Sequence, residues 1–310
     1  MKIFLISHIA DIDGLTPVIL SKLVFGDIDY KLLEISEVES FMDDALNNNL
    51  FDNYDKVFMT DLCVSENIAK RIDSLPLREK FQVLDHHIAY MDLNKYSFIK
   101  VLDEENGVKE SGTSLYYKYL LNNYPIKILA RESVSYIVSL VRLNDTWEWK
   151  KYNKPEARYL TTILSYYGVD KFINNYVDFL LANETFYFTK TEKMLIDTDN
   201  NRMNEYIEEK KKQVIFKEIK GYKTGIVFAE LYRSELGNIL AECYPEVDLI
   251  IIINLSRSIS YRCIKDDISV NDFALIFGGK GHQKAAGSPL PLGLKERIID
   301  YIFGRDNNEY

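Results

Sequence analysis

The residues able to do chemistry in this chain gather at strand ends. The apolar run Phe81-Gln82-Val83-Leu84 stops in Asp85-His86-His87. Such a run reads as a buried strand bounded by turn residues. A carboxylate and two imidazoles at its carboxyl end make a metal or phosphate corner, although adjacent histidines also occur in ordinary loops. Residues 2–7 form another apolar strand, ending in His8-Ile9-Ala10-Asp11-Ile12-Asp13-Gly14. Asp11 and Asp13 share one side if that turn is extended; an Asp-rich surface turn is the plain alternative. Val57-Phe58-Met59 repeats the pattern and has Asp61 at its end, where an Asp is often only a helix cap. Three strands finishing in Asp or His predict ligands gathered on one rim, the edge at which open α/β sheets bind.

The surrounding segments supply the elements that would hold these residues. Thr16 offers an N-cap, Pro17 suits a first helical position, and Gly26 stops a helix running to about Phe25. Ser111-Gly112-Thr113-Ser114 opens a helix over 115–122 and could either receive a phosphate or simply cap. A helix over 131–143 leads to Asp145, which alone reads as a cap or surface residue. An aromatic amphipathic helix is expected over 170–182, as core. The long charged stretch 189–212 reads as a connecting helix with a solvated face. Beyond it, strands near 215–219, 225–229, 247–255 and 259–264 alternate with helices near 235–243, 270–277 and 294–303. The cluster Gly278 to Gly287 allows positive φ and close backbone approach. His282 and Lys284 are expected to face whatever this loop admits, and Ala285-Ala286 to keep its turn tight. It is neither a Walker loop nor a Rossmann fingerprint.

The fold class predicted is α/β: an N-terminal mostly parallel sheet with helices on both faces, a helical linker, and a smaller C-terminal α/β substrate-binding domain. The expected boundaries are 1–185, 186–213 and 214–310. With 310 residues, 47% of them hydrophobic, the chain has material for two domains. A formal charge of -9 argues against a broad basic surface for long duplex nucleic acid. A small anion remains compatible, because metals and a few Arg or Lys set a local field. Cys63, Cys243 and Cys263 are widely spaced and read as buried reduced thiols in a cytoplasmic protein. No signal peptide is read at the N-terminus. The longest apolar run, Leu249 to Ile253, is too short for a bilayer. No internal repeat is found, and low complexity is confined to Asn47-Asn48-Asn49 and a polar C-terminal tail.

With Asp145 included on the strength of the resemblance given next, the set is His8, Asp11, Asp13, Asp61, His86 and Asp145. Four ionised carboxylates cannot crowd together without counter-cations. Two divalent metals would resolve the repulsion. Asp and His ligation without thiolate suits Mn²⁺, with Mg²⁺ or Co²⁺ as substitutes. Such a pair activates water against a phosphoester.

The ordered motifs resemble those of the DHH phosphoesterase superfamily. Asp85-His86-His87 matches its name-giving triplet, and His8-Ile9-Ala10-Asp11-Ile12-Asp13-Gly14 its H-x-x-D-x-D-G. Asp61 and Asp145 stand for its single-residue motifs. Gly278 to Gly287 resembles the GGxGHxxAAG signature of the DHH-associated C-terminal domain. Ser260-Tyr261-Arg262-Cys263 resembles its S-x-R-[ST] strand, with Cys263 departing at the last place. The resemblance implies one Mn²⁺ held by His8, Asp11 and Asp61, and another by Asp13, Asp61, His86 and Asp145, with Asp61 bridging. It implies His87 on the scissile phosphate, with Asp85 orienting an imidazole. Arg262 and His282, with Gly279 and Gly281 beside them, would bind the far phosphate or nucleotide across a cleft between domains. Lys280 stands where many relatives carry glycine and is expected to face solvent.

The C-terminal signature resembles the oligoribonuclease and RecJ-type branch more than the pyrophosphatase branch, and 310 residues leave no room for RecJ's extra nucleic-acid domains. The expected activity is a manganese-dependent exonuclease that hydrolyses short oligonucleotides to mononucleotides. Phosphatase action on 3′-phosphoadenosine 5′-phosphate (pAp), or cleavage of cyclic or linear dinucleotides, is the alternative. A nucleotide-binding protein without turnover is a third, weakened by the retention of every ligand type. No membrane partner is expected, and a homodimer is left open.

Overall fold

The computed structural model describes residues 1–304, so the polar tail read from the sequence, at 305–310, lies outside the described residues. The chain forms two compact units, Met1–Asp197 and a second beginning at Thr198.

The first unit is built as β1 (Ile3–His8), α1 (Ile12–Phe25), β2 (Asp29–Leu33), α2 (Val38–Asn47), β3 (Lys56–Thr60), α3 (Glu66–Asp73), β4 (Phe81–Asp85) and β5 (Ile99–Val101). A small ribbon, β6 (Glu104–Glu105) and β7 (Val108–Lys109), then leads to α4 (Gly112–Asn123), α5 (Glu132–Asp145), α6 (Glu156–Tyr167) and α7 (Val169–Ala182). The five strands form one parallel sheet in the order β2-β1-β3-β4-β5. Side chains alternate across it. Ile3, Leu5, Phe58 and Leu84 join a core with α1, α4, α5, α6 and α7; Phe4, Ile6, Met59 and Val83 join one with α2 and α3. Both faces are covered, as a parallel sheet requires. A one-residue slip of any central strand would exchange the two cores, so the register is firmly set. That register aligns the strand ends: Ser7 pairs with Thr60 and Thr60 with Leu84, which brings His8, Asp61 and Asp85 level.

Helix α8 (Lys190–Lys211) contains the division: Ile196 packs in the first unit's core and Ile207 in the second's. The second unit continues with β8 (Ile215–Ile219), β9 (Tyr222–Phe228), α9 (Arg233–Cys243), β10 (Leu249–Asn254), β11 (Ser258–Arg262), α10 (Val270–Ile276), β12 (Lys280–Gly281), β13 (Ala285–Pro289) and α11 (Leu294–Phe303). Its mixed sheet runs β12-β13-β11-β10-β9-β8, with only β9 and β10 parallel. Val227, Ile250 and Ile252 pack against α9; Leu249, Ile251 and Tyr261 pack against α10.

Three local expectations are corrected. Helix α1 starts at Ile12, not near Pro17: Asp11 is the N-cap, accepting from the Gly14 N–H at 3.0 Å, and Pro17 lies inside the helix. The Asp11–Asp13 turn is therefore not an extended pair, since Asp13 is already helical. Residues 285–289 form a strand, not a tight turn, because β11 offers an antiparallel partner from Ser258 to Arg262. Cys243 is exposed, while Cys63 and Cys263 are buried.

Candidate metal centre

Every expected ligand of the first unit arrives at the carboxyl rim of the parallel sheet. His8 ends β1, Asp61 follows β3, and His86 follows β4. Asp11 and Asp13 start α1, and Asp145 ends α5. His8 Nδ1 lies 3.4 Å from Asp11 Oδ2 and 3.5 Å from Asp61 Oδ2. His86 Nε2 lies 3.3 Å from Asp61 Oδ1, 3.5 Å from Asp145 Oδ2 and 3.9 Å from Asp13 Oδ2. Asp61 thus presents one oxygen to each imidazole. Two adjoining donor sets result, His8–Asp11–Asp61 and Asp13–His86–Asp145, each with its ligand atoms within 4.8 Å of one another, and Asp61 Oδ1, 3.3 Å from His86 Nε2, joins them.

Asp85 stands behind the histidines. Its Oδ1 accepts the His86 backbone N–H at 2.8 Å and lies 2.8 Å from His87 Nδ1. This fixes the His87 ring while leaving Nε2 outward, on a side chain 46% exposed.

The electrostatics follow from burial. Asp13 is fully buried, and burial followed by the charges of Asp61 and Asp145 pushes its carboxyl well above the usual range. Burial likewise raises Asp145, to about 6, against the pull of His86. Burial also pushes Asp61 up, but the His8 and His86 imidazoles outweigh it and bring the group below its ordinary value. The Asp11 and Asp61 carboxylates beside it raise His8 to about 10, against the opposing effect of burial. Burial lowers His86, yet Asp61, Asp145 and Asp13 together raise it to about 10. Asp61 Oδ2 and His86 Nε2 are nonetheless buried without a hydrogen-bond partner among the described residues. An orphaned buried group of this kind costs about 1–3 kcal/mol. Crowded carboxylates, two imidazoles among them and buried atoms without partners fit divalent cations.

How Asp13 is held is not apparent in the sequence, where the α4 N-terminus reads as a phosphate seat or a simple cap. Ser111 does cap it, accepting from the Ser114 N–H, but the next amides are taken by Asp13: Gly112 N–H donates to Oδ2 at 2.7 Å and Thr113 N–H to Oδ1 at 3.0 Å. They are not free for a phosphate. The Thr113 hydroxyl also donates to the Asp13 carbonyl at 2.7 Å. That carbonyl is the one Pro17, four residues on and lacking an N–H, cannot serve. A Pro inside a helical pattern is thus a signal that some outside donor is needed, though not which. Gly112 is also required sterically. A Cβ there would lie 2.6 Å from the Asp61 Cβ and 2.8 Å from its backbone N, and Asp61 itself has φ 55°. Glu34, just past β2, reaches within 3.8 Å of His8 Nε2 and is also missing from the expected set; its place at a strand end is the available sign.

The second unit holds the remaining expected residues. On β11, Arg262 donates to the Tyr261 carbonyl at 2.9 Å and to Ser234 Oγ at 3.1 Å. Gly279 and Gly281 lie where a Cβ would meet Gly287 O at 2.1 Å and the Ala286 Cα at 2.4 Å, so the β12–β13 hairpin needs both. His282 is exposed, its backbone N–H bonded to the Ala285 carbonyl. Lys284 does not face an open loop: its ammonium donates to the Ile264 carbonyl at 3.2 Å and pairs with Asp266 at 3.0 Å. Lys280 is exposed.

No family model matches the chain. Among solved structures, the DHH domain of a protein described as a member of a family of ribosomal proteins shares the fold, at a TM-score of 0.60 and 14% identity, covering 96% of this chain and 85% of that one. A pGpG-specific phosphodiesterase from Vibrio cholerae shares it at a TM-score of 0.50 and 12% identity, covering 97% of each chain. Fold and strand-end site together define a DHH-type α/β protein. Oligoribonuclease NrnB of Bacillus subtilis is 32% identical over 305 residues, 96% of this chain and 75% of that protein. The chain belongs to the family of oligoribonuclease NrnB.

Proposed function

We propose that the protein is a divalent-cation-dependent phosphodiesterase that hydrolyses short oligonucleotides to mononucleotides. The observation that carries this reading is Asp61, a buried carboxylate turned by one oxygen to His8 and by the other to His86. Family membership with an oligoribonuclease supports the substrate class. His8, Asp11 and Asp61 would hold one cation, and Asp13, Asp61, His86 and Asp145 another; manganese suits the mixed Asp and His set, with Mg²⁺ or Co²⁺ as substitutes. When bound, such cations polarise a phosphoryl oxygen and make water acidic enough to attack near neutral pH.

The chain's own groups do the rest. Held at Nδ1 by Asp85, whose carboxylate raises the imidazole and favours its protonated form, His87 donates from Nε2 to a nonbridging oxygen of the scissile phosphate. Asp85 keeps that ring oriented and charged. Arg262 and His282 bind a phosphate of the substrate away from the bond that breaks. In this reading residues 1–185 carry the chemistry, 214–310 bind substrate, and 186–213 join them.

The test is cation-stripped protein given Mn²⁺, Mg²⁺ or Co²⁺ in turn, with a five-nucleotide RNA, pGpG and pAp as substrates, products resolved by chromatography. Mononucleotides released from the RNA with Mn²⁺ are expected. Hydrolysis of pAp with no action on any oligomer would overturn the reading in favour of a phosphatase. Nucleotide binding with no turnover under any cation would make the protein a binder only.

A further inference from the structure

Two guanidiniums in the second unit lie side by side, with no carboxylate in an ion pair with either among the described residues and only a weak pull from Glu235. Arg262, on β11, and Arg233, the first residue of α9, reach crosswise to hydroxyls on each other's element. Arg262 Nη2 donates to Ser234 Oγ at 3.1 Å, and Arg233 Nη1 to Ser258 Oγ at 3.3 Å. Ser258 and Arg262 sit four residues apart on one strand and so share its face, while Ile259 and Tyr261 turn to the α10 side. The arrangement depends on Gly237, one turn along α9: a Cβ there would lie 2.6 Å from the Arg262 Cγ and 3.1 Å from the Ile252 Cδ1. Both arginines are partly buried, and neither forms an ion pair with an acid among the described residues. Burial and then the neighbouring Arg233 charge lower the Arg262 guanidinium from its ordinary value, against a smaller opposing pull from Glu235. Tyr232, the α9 N-cap at φ 47°, gives its hydroxyl to Asp199 and places no side-chain cap on the first turn.

Like charges held together with only neutral acceptors are destabilising unless an anion joins them. We propose that Arg233 and Ser234 complete, with Arg262, a subsite for a terminal phosphate monoester, and that Arg233 sets its preference for a doubly charged phosphate over an internal diester. This deepens the substrate reading above and rests on it for the identity of Arg262 as a substrate residue. A phosphate monoester carries close to two charges at neutral pH, a diester one. A pair of guanidiniums matches the former in charge and offers forked donors to its three free oxygens. The subsite therefore selects oligonucleotides that end in a phosphate and mononucleotides that retain one.

The test is calorimetric titration of the full chain in chelator with AMP and with adenosine. Wild type, Arg233→Ala, Arg233→Lys and a control, Arg257→Ala in the exposed turn before β11, would be compared, each checked for folding by its thermal transition. Wild type should bind AMP roughly tenfold or more tighter than adenosine, the scale of charge-assisted hydrogen bonds. Arg233→Ala should abolish that difference, Arg233→Lys should restore part of it, and the control should keep it. A wild type that binds the two equally, or an Arg233→Ala protein that keeps the preference, overturns the proposal. If the preference depends on Arg233 but no oligonucleotide is hydrolysed with any cation, the catalytic reading fails and the subsite stands. If hydrolysis occurs and Arg233→Ala leaves the KM for a phosphate-ended oligomer unchanged, the subsite fails and the catalytic reading stands.

Discussion

The two units meet opposite electrostatic problems in the same way. In the first, buried carboxylates face one another around Asp61 and call for positive charge. In the second, Arg233 and Arg262 face one another and call for negative charge. The first cluster is answered only in part, by its own imidazoles, and the second has no acid in an ion pair among the described residues; each is braced by neutral donors or acceptors, the Gly112 and Thr113 amides at Asp13 and the Ser234 and Ser258 hydroxyls at the guanidiniums. The difference lies in reach. The carboxylates are short, and backbone and imidazoles fix them almost completely. The guanidiniums hang on long stems and take their position from packing, as Gly237 shows. Damage to the first cluster should therefore be all-or-none, and damage to the second graded.

The largest break comes at Asp61. Asp61→Asn keeps the shape but removes the charge shared by His8 and His86. Oligonucleotide turnover with Mn²⁺ should fall by roughly a thousandfold or more, as when one member of a unit is lost, and Mn²⁺ titration followed by electron paramagnetic resonance should show weaker uptake. Uptake equal to wild type would show that the cluster is not the cation site.

Asp85→Asn is the next step down. It leaves the donor sets but loosens His87, and the loss in kcat should be on the order of 10- to 100-fold. Steady-state kinetics on a five-nucleotide RNA measures it, and an unchanged kcat would remove His87 from the chemistry.

Acidity sharpens the contrast further. Cation-free protein holds protons on His8 and His86 up to about 10, and cation uptake must displace them. Affinity for Mn²⁺ should therefore rise with pH between 6 and 9, by roughly tenfold per unit for each proton displaced. Calorimetry in buffers of different ionisation heat counts those protons. Without cations the sign for stability is opposite. The raised histidines stabilise the fold fully below 6.5, and that contribution is lost as pH rises toward about 10. Asp145, held at about 6, already adds to the same trend at lower pH. Denaturant midpoints in chelator should fall across this window, and those with Mn²⁺ should fall less.

The smallest effect is expected from Thr113→Val. It orphans the Asp13 carbonyl that Pro17 leaves open, a cost of about 1–3 kcal/mol, read as a shift in the urea midpoint. Thr113→Ser should recover most of it. Equal midpoints for Val and Ser would show that the hydroxyl bond is idle.

Strand-end chemistry is legible because period and punctuation mark where a buried strand stops. His8, Asp61 and Asp85 need only the register Ser7–Thr60–Leu84 to come level. Asp145 is not legible alone, since a helix-terminal Asp looks the same whether it caps or points into a site. The start of α1 is misleading because Thr16 and Pro17 carry the local signature of a helix N-terminus, while Asp11 takes that role. The strand at 285–289 is hidden by its composition: Ala-Ala-Gly-Ser-Pro has little strand tendency, and only pairing with β11 makes it one. The Arg233–Arg262 pair is not readable, because the contact joins a helix start to a strand 29 positions away along the sequence.

The bond from Thr113 to the Asp13 carbonyl spans 100 positions. During synthesis, α1 therefore leaves the ribosome with the Asp13 carbonyl unserved by Pro17 and the Asp13 carboxyl unsupported. The nascent chain cannot finish its acidic pocket until α4 has been made and has docked. A chain halted before α4 thus carries an acid that nothing yet holds in place.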